Sequence, residues 1–247
     1  MDSQSWIPAQ WPVADHVHAG TTTRLGGVSH APYDSLNLAQ HVGDDPTNVI
    51  NNRQQLMEYL GLPREPHWLN QVHGCDVSTD TTVLGDADAC MTQIIGRVCV
   101  VMTADCLPVL ITDKQGTCVA AVHAGWRGLE QQAILKTIEK MPVQTQDLLV
   151  WLGPAIGPTA FEVGEEVRDQ FIRQGDQFTQ AFVPGKPEGK WLMDIYQVAR
   201  RQLTGINVTA VYGGEFCTYR DQQRFFSFRR DKLTGRMASL IWMDKPS

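Results

Sequence analysis

Apolar positions in this chain come in two patterns, short continuous runs and a spacing of three to four. The continuous runs lie in the middle. Arg97 to Thr103, Pro108 to Thr112 and Cys118 to His123 predict three buried strands, with Asp113-Lys114-Gln115-Gly116 as a hairpin turn between the last two. Leu148 to Leu152 predicts a fourth. Helical spacing appears at Val49, Ile50, Leu56, Met57 and Leu60, started by Asp45-Pro46-Thr47 and stopped by Gly61. It returns in Leu129 to Met141, Gly164 to Arg173 and Met193 to Leu203. Val208 to Tyr212, Phe225 to Phe228 and Ala238 to Met243 predict late strands, the last two joined by a hairpin at Lys232-Leu233-Thr234-Gly235. The first forty residues, rich in Gly, Thr, Ser and Asn, predict strand and loop.

Strands outnumber helices, and several form hairpins rather than β-α-β units. That predicts an α+β fold with mixed sheets rather than a doubly wound parallel sheet. No linker, repeat or low-complexity tract divides the 247 residues, so one domain spanning 1–247 is expected.

Composition narrows the partners. Lys and Arg number 21 against 27 Asp and Glu, a net charge of −6. A diffuse acidic balance argues against nucleic acid and anionic lipid. No apolar run reaches the length of a membrane span, and Met1 to Trp6 has neither a basic nor an apolar leader region. A cytoplasmic protein is expected, as monomer or homodimer. The six cysteines include no C-x-x-C pair, so a zinc ribbon is excluded, and without an export signal a disulfide framework is not expected.

The chemistry gathers at three segments. They read Asn70-Gln71-Val72-His73-Gly74, Thr103-Ala104-Asp105-Cys106-Leu107-Pro108 and Ala121-Val122-His123-Ala124-Gly125-Trp126-Arg127-Gly128. His73, Cys106 and His123 all fall at element ends, where sites tend to be built. Two imidazoles and a thiolate are one ligand short of a closed tetrahedral zinc site, which is what a catalytic zinc requires. The same ligand types describe a blue-copper centre. Laccase-type copper chemistry needs many paired histidines, and this chain has seven in all and one His-x-His pair, His16-Val17-His18. A metal-free reading makes Cys106 a nucleophile, His123 its base and Asp105 the orienting carboxylate. Residue types alone also allow two hydrogen-bonded histidines and a buried thiol, with no site at all.

Other motifs offer binding groups. Gly125-Trp126-Arg127-Gly128 lies between strand and helix, where backbone N–H groups and Arg127 suit an anion. Arg229 and Arg230 in Phe228-Arg229-Arg230-Asp231 form a second arginine fork, and Arg24 sits on the glycine turn Thr23 to Ser29. Glu162, ahead of a helix, is a candidate general acid or base or a simple cap.

Together these segments resemble the YfiH family, also called the laccase-domain or polyphenol-oxidase-like family. The resemblance rests on Thr22 to Ser29, Ser35-Leu36-Asn37-Leu38, the three ligand segments, Leu152-Gly153-Pro154-Ala155-Ile156-Gly157 and Phe226 to Asp231, and runs from about Trp11 to Met243. It implies a single-domain α/β/β/α-type sandwich, mixed β-sheets stacked between helices. It implies one zinc held by His73, Cys106 and His123, with copper as an alternative occupant. The implied substrates are purine nucleosides and phosphate. The implied reactions are phosphorolysis of adenosine, inosine and methylthioadenosine, and deamination of adenosine. Arg24, Asn37, Arg127, Arg229 and Arg230 are then candidates for substrate and phosphate, and Asp105 or Glu162 for proton transfer. An alternative is a hydrolase that edits peptidoglycan precursors with the same zinc or with Cys106.

Overall fold

The computed structural model describes residues 1 and 3–246. Thirteen strands and six helices follow one another in the order β1 (Trp6–Pro8), β2 (Val17–Thr22), α1 (Pro46–Leu60), β3 (Val77–Ser78), β4 (Ala89–Thr92), β5 (Cys99–Thr103), β6 (Leu107–Asp113), β7 (Val119–Ala124), α2 (Trp126–Glu130), α3 (Ala133–Lys140), β8 (Leu148–Leu152), β9 (Glu162–Gly164), α4 (Glu165–Gln174), β10 (Phe182–Pro184), β11 (Lys190–Met193), α5 (Ile195–Gly205), β12 (Val211–Gly213), α6 (Phe228–Asp231) and β13 (Met237–Met243). Among the described residues no helix is long and apolar enough to cross a membrane.

Two sheets stack face to face. One runs β1-β2-β13-β5 and is wholly antiparallel; the other runs β12-β8-β6-β7-β4-β3, with parallel pairs at both edges. Between them lie Cys99, Val101 and Ile241 from the first sheet against Leu110, Ala121 and Trp151 from the second. Helix α1 covers the outer face of the first sheet, burying Leu56 against Val98, Val100 and Leu240. Helices α3 and α5 cover the outer face of the second, burying Ile134, Val198 and Leu203 against Val109, Val122 and Val150. The α/β/β/α layering implied by the family resemblance is the one observed. A three-stranded sheet, β10-β11-β9, is hydrogen-bonded to neither, packs into the core on the helix side of the second sheet, and was not foreseen.

Continuous burial explains the unbroken apolar runs. In β6, Leu107, Val109 and Ile111 face the helices while Leu110 faces the other sheet. In β7, Ala120 and Val122 face the helices while Val119 and Ala121 face the other sheet. With a period of two, His123 takes the side of Val119 and Ala121 and sits at the end of the inter-sheet layer. Strands β5 and β6 look like one interrupted run in sequence. They belong to different sheets, and Ala104-Asp105-Cys106 is the crossing between them.

The predicted α1 stands as expected: the Asp45 side chain accepts from the Thr47 N–H, and Gly61 closes it at φ 60°. Other predicted elements need correction. The helix expected over Leu129 to Met141 starts earlier, at Trp126, and is broken at Gln132, whose φ of 63° turns α3 onto the sheet. Met193 ends a strand, and the helix after it starts at Ile195 because the Asp194 carboxylate caps it. Phe225 to Phe228 is not a strand. Phe225 and Phe226 are buried, but Ser227 caps the one-turn helix α6 by accepting from the Arg230 N–H, so no hairpin forms at 232–235.

Candidate metal centre

Among the described residues, one group of His, Cys, Asp or Glu side chains is placed to hold a metal ion: His73, Cys106 and His123. Their ligand atoms lie within 4.8 Å of one another. Metal bonds of about 2.0–2.3 Å would close such a set with small side-chain movements.

Each ligand is positioned by a separate device. His123 ends β7, and its Nδ1 lies 2.7 Å from the carboxylate of Asp88, which leaves Nε2 as the ligating nitrogen. Asp88 is fully buried at the start of β4. Its carboxylate also accepts the backbone N–H groups of Val72 at 3.2 Å, His73 at 3.0 Å and Gly74 at 2.6 Å. One carboxylate therefore orients one histidine ligand and clamps the loop that carries the other. That loop holds His73 at φ 60°, the left-handed region. Gln71 staples it to β5, with Nε2 donating to the Met102 carbonyl at 2.8 Å and Oε1 accepting the Met102 N–H at 2.7 Å. Cys106 follows Asp105, itself at φ 96°, in the crossing between sheets.

Room for the ligands depends on Gly125. A Cβ there would lie 2.9 Å from Cys106 Sγ and 3.4 Å from His73 Nδ1. The electrostatics suit a cation. Burial pushes the Cys106 thiol up, but the charges and hydrogen bonds of His123 and His73 outweigh it and bring it down to about 6. Burial pushes His123 down, but Cys106 and Asp88 raise it to about 9. The donor set, its orienting carboxylate and the space kept by Gly125 all fit a bound metal ion.

The three side chains line a cavity of about 360 Å³. Of the residues expected from sequence, Asp105, Arg127 and Arg229 join them there, and Arg24, Asn37, Glu162 and Arg230 do not. Arg24 pairs with Asp34 at 3.3 Å and lies over the Phe226 ring. Arg230 pairs with Asp231 at 2.8 Å and donates to the carbonyls of Thr218, Tyr219 and Phe225. Asn37 is fully buried, and its Oδ1 accepts the Arg236 N–H at 3.0 Å. Glu162 takes a hydrogen bond from Arg229 on its backbone carbonyl. Asp105 lines the cavity with its carboxylate engaged by Thr218 Oγ1 at 2.6 Å, Ser227 Oγ at 3.1 Å and the Arg229 N–H at 2.6 Å. The carboxylate on His123 is Asp88, so the orienting role expected of Asp105 in the metal-free reading falls to Asp88 instead. The His16-Val17-His18 pair is remote from the centre: His16 bonds the Gly116 carbonyl and His18 pairs with Asp244.

Sequence reasoning missed four groups. Asp88 had a signal, a charged residue in Ala87-Asp88-Ala89 at the mouth of an apolar strand. Gln71 lay within a motif but had no assigned role. His41 and Arg236 line the cavity and were not singled out.

The arginines singled out in the sequence and those that line the cavity differ in their partners. Arg24 and Arg230, outside the cavity, each have a carboxylate partner. Arg127, Arg229 and Arg236, inside it, have no ion pair with any described residue. Ile156, Phe161 and Ile195 give the same cavity an apolar part.

The four-layer α+β fold that carries this two-histidine, one-cysteine centre is shared with known proteins. The chain belongs to the YfiH family, described as multi-copper polyphenol oxidoreductase laccase, whose sequence pattern matches residues 18–244. A Pseudomonas aeruginosa protein named as a purine nucleoside phosphorylase is 50% identical over 240 residues, 97% of this chain and 98% of its own. An Escherichia coli protein named purine nucleoside phosphorylase YfiH is 49% identical, over 96% of this chain and 98% of its own. The crystal structure of a Neisseria meningitidis protein superposes with a TM-score of 0.93 at 46% identity, over 97% of this chain and 99% of that one.

Proposed function

We propose that this protein is a zinc-dependent purine nucleoside phosphorylase. It releases the free base and ribose 1-phosphate from adenosine, inosine and methylthioadenosine, and deaminates adenosine as a second activity. The observation that carries the reading is the meeting, in one cavity, of three ligand atoms within 4.8 Å and three arginines without carboxylate partners. Phosphorolysis needs a phosphate held beside a nucleoside, and unpaired guanidinium groups are suited to an oxyanion. The names carried by the relatives point the same way.

His73, Cys106 and His123 would hold the metal, and thiolate with imidazole favours zinc over harder ions. Zinc bound there would supply Lewis-acid chemistry. The protein's own groups do the rest. Asp88 fixes the ring of His123, the arginines bind and orient anionic oxygen, and Ile156, Phe161 and Ile195 exclude water from the base. Asp105 fixes the main chain of Arg229 and, of the two carboxylates expected to handle a proton, is the one that lines the cavity.

The test is to incubate purified holoenzyme with adenosine, with and without phosphate, and to separate the products by chromatography. Adenine and ribose 1-phosphate should form only with phosphate, inosine should form in both, and all should vanish in Cys106→Ala along with stoichiometric zinc. Absence of phosphate-dependent base release, or full turnover after the metal is stripped, overturns the reading.

One observation favours a second reading. Asp88 holds His123 at 2.7 Å, and the Cys106 sulfur lies within 4.8 Å of the His123 ring nitrogen, the residue set of a cysteine hydrolase. A hydrolase of peptidoglycan precursors would then use Cys106 directly. Metal-stripped protein that cleaves such a precursor, and loses this activity on alkylation, selects that reading.

A further inference from the structure

Resting on the phosphorolysis reading, we infer that Arg236 and His41 form the seat of the phosphate co-substrate, while Arg127 and Arg229 serve the nucleoside. Neither Arg236 nor His41 belongs to the motifs that drew attention in the sequence.

Arg236 immediately precedes β13 and is held in an unusual way. Its Nη1 donates to the carbonyls of Thr234 at 2.9 Å and Gly235 at 3.0 Å, and its backbone N–H is held by buried Asn37. These acceptors fix the guanidinium without neutralising it. Its Nε and Nη2 have no hydrogen-bond partner among the described residues. Those two N–H groups form the parallel edge that matches two oxygens of a phosphate. Asn37 is thus a positioning residue for Arg236.

His41 lines the same cavity and is exposed, and the charge of Arg236 acts on it. The charges that act on it are Arg236, Arg53 and His73, all of one sign when ionised. Arg53 is already engaged, donating twice to the Leu38 carbonyl and lying 3.9 Å over the Trp68 ring. Arg236 and His41 thus make a positive corner of the cavity next to a metal ligand. The nearby Asp105 carboxylate acts on Arg236 without an ion pair, because it is taken up by Thr218, Ser227 and the Arg229 N–H.

The other two arginines are built differently. Arg127 lies 4.4 Å over the Trp126 ring and Arg229 lies 5.5 Å over the Phe161 ring. Arg229 also donates to the Glu162 carbonyl. Cationic groups layered on aromatic rings present flat faces, which suit a planar purine more than a compact dianion. The site then has a direction. A phosphate oxygen approaching from the Arg236 side bonds to C1′ while the C1′–N9 bond breaks. The bond's electron pair leaves on the purine, which takes up the proton the phosphate gives up.

The experiment uses holoenzyme and inorganic phosphate alone as the first probe, followed by initial rates with adenosine. Phosphate should raise the melting temperature of the unaltered protein, and this rise should shrink in Arg236→Gln and in His41→Ala. Loss of one charge-assisted contact should raise the KM for phosphate about ten- to a hundredfold, with the KM for adenosine moving much less. Arg236→Lys should restore part of the phosphate response. His41→Ala serves as the variant that leaves the core untouched. A phosphate response that survives in both variants, or that is lost instead in Arg229→Gln, overturns the assignment. Phosphate binding through Arg236 in a protein that never cleaves a nucleoside overturns the phosphorolysis reading and leaves the seat standing.

Discussion

Asp88 and His123 stand 35 positions apart and meet at 2.7 Å, carboxylate to Nδ1, with no solvent exposure at Asp88. The same carboxylate takes three backbone N–H groups from the loop that carries His73. Asp88→Asn keeps the shape and loses the charge, and its amide nitrogen cannot accept from that loop. Metal affinity should fall about 10- to 100-fold, and stability by about 1–3 kcal/mol. Competition with a chromogenic chelator and thermal unfolding measure the two. Unchanged affinity would show that the carboxylate matters only to folding.

Gly125 separates crowding from folding. Its φ of −67° and ψ of 171° are open to any residue, so Gly125→Ala carries no backbone penalty. The added Cβ would press on Cys106 Sγ at 2.9 Å. Metal content after gel filtration should fall about tenfold or more, while the melting temperature of the metal-free protein changes by the equivalent of about 1 kcal/mol or less. Full metal content in this variant would mean that the ligands have space the geometry does not show.

Much of this is legible in the amino-acid sequence, and the reasons are local. The strands around the centre are buried on both faces, so they appear as unbroken apolar runs, and the cap and stop of α1 are written in Asp45 and Gly61. Cys106 could be singled out because a polar crossing interrupts two such runs. What the sequence hid depends on three-dimensional pairing. That β5 and β6 lie in different sheets leaves no trace in a linear pattern. Phe225-Phe226 reads as a strand because both side chains are buried, whereas the backbone is set by the Ser227 cap and by Asp105. Arg24 and Arg236 are the same residue type beside glycines; what separates them is the Asp34 carboxylate that pairs with Arg24 and the cavity that Arg236 lines.

In the metal-free protein, Cys106 and His123 should form an ion pair over a defined range of pH. Cys106 is lowered to about 6 and His123 raised to about 9. His123's contribution to stability is then fully present below its unfolded value of about 6.5 and is lost as pH rises through about 9. That of Cys106 is present above its unfolded value of about 8.5 and is lost as pH falls through about 6. Alkylation of the stripped protein should follow the thiolate, with a midpoint near pH 6 assigned to Cys106 by mass spectrometry. A midpoint near the ordinary thiol value would mean that the histidines do not act on it. Adding zinc should protect the residue across the whole range, because a coordinated thiolate is withdrawn from the reagent.

Asp105 offers the sharpest contrast between a structural and a chemical role. Its carboxylate gathers Thr218, Ser227 and the Arg229 N–H, so it ties the crossing between sheets to the start of α6. Asp105→Ala leaves three donors without their acceptor in a buried place and should cost about 2–4 kcal/mol. The segment around Thr218 to Arg229 should exchange its amide hydrogens faster, while α1 on the far side of the first sheet keeps its protection. Asp105→Asn retains one acceptor oxygen and should recover part of that stability. If activity recovers with it, Asp105 acts by holding Arg229 in the cavity. If the asparagine variant is stable and protected yet inactive, the carboxylate itself handles a proton, and hydrogen exchange together with turnover in the two variants decides between these outcomes.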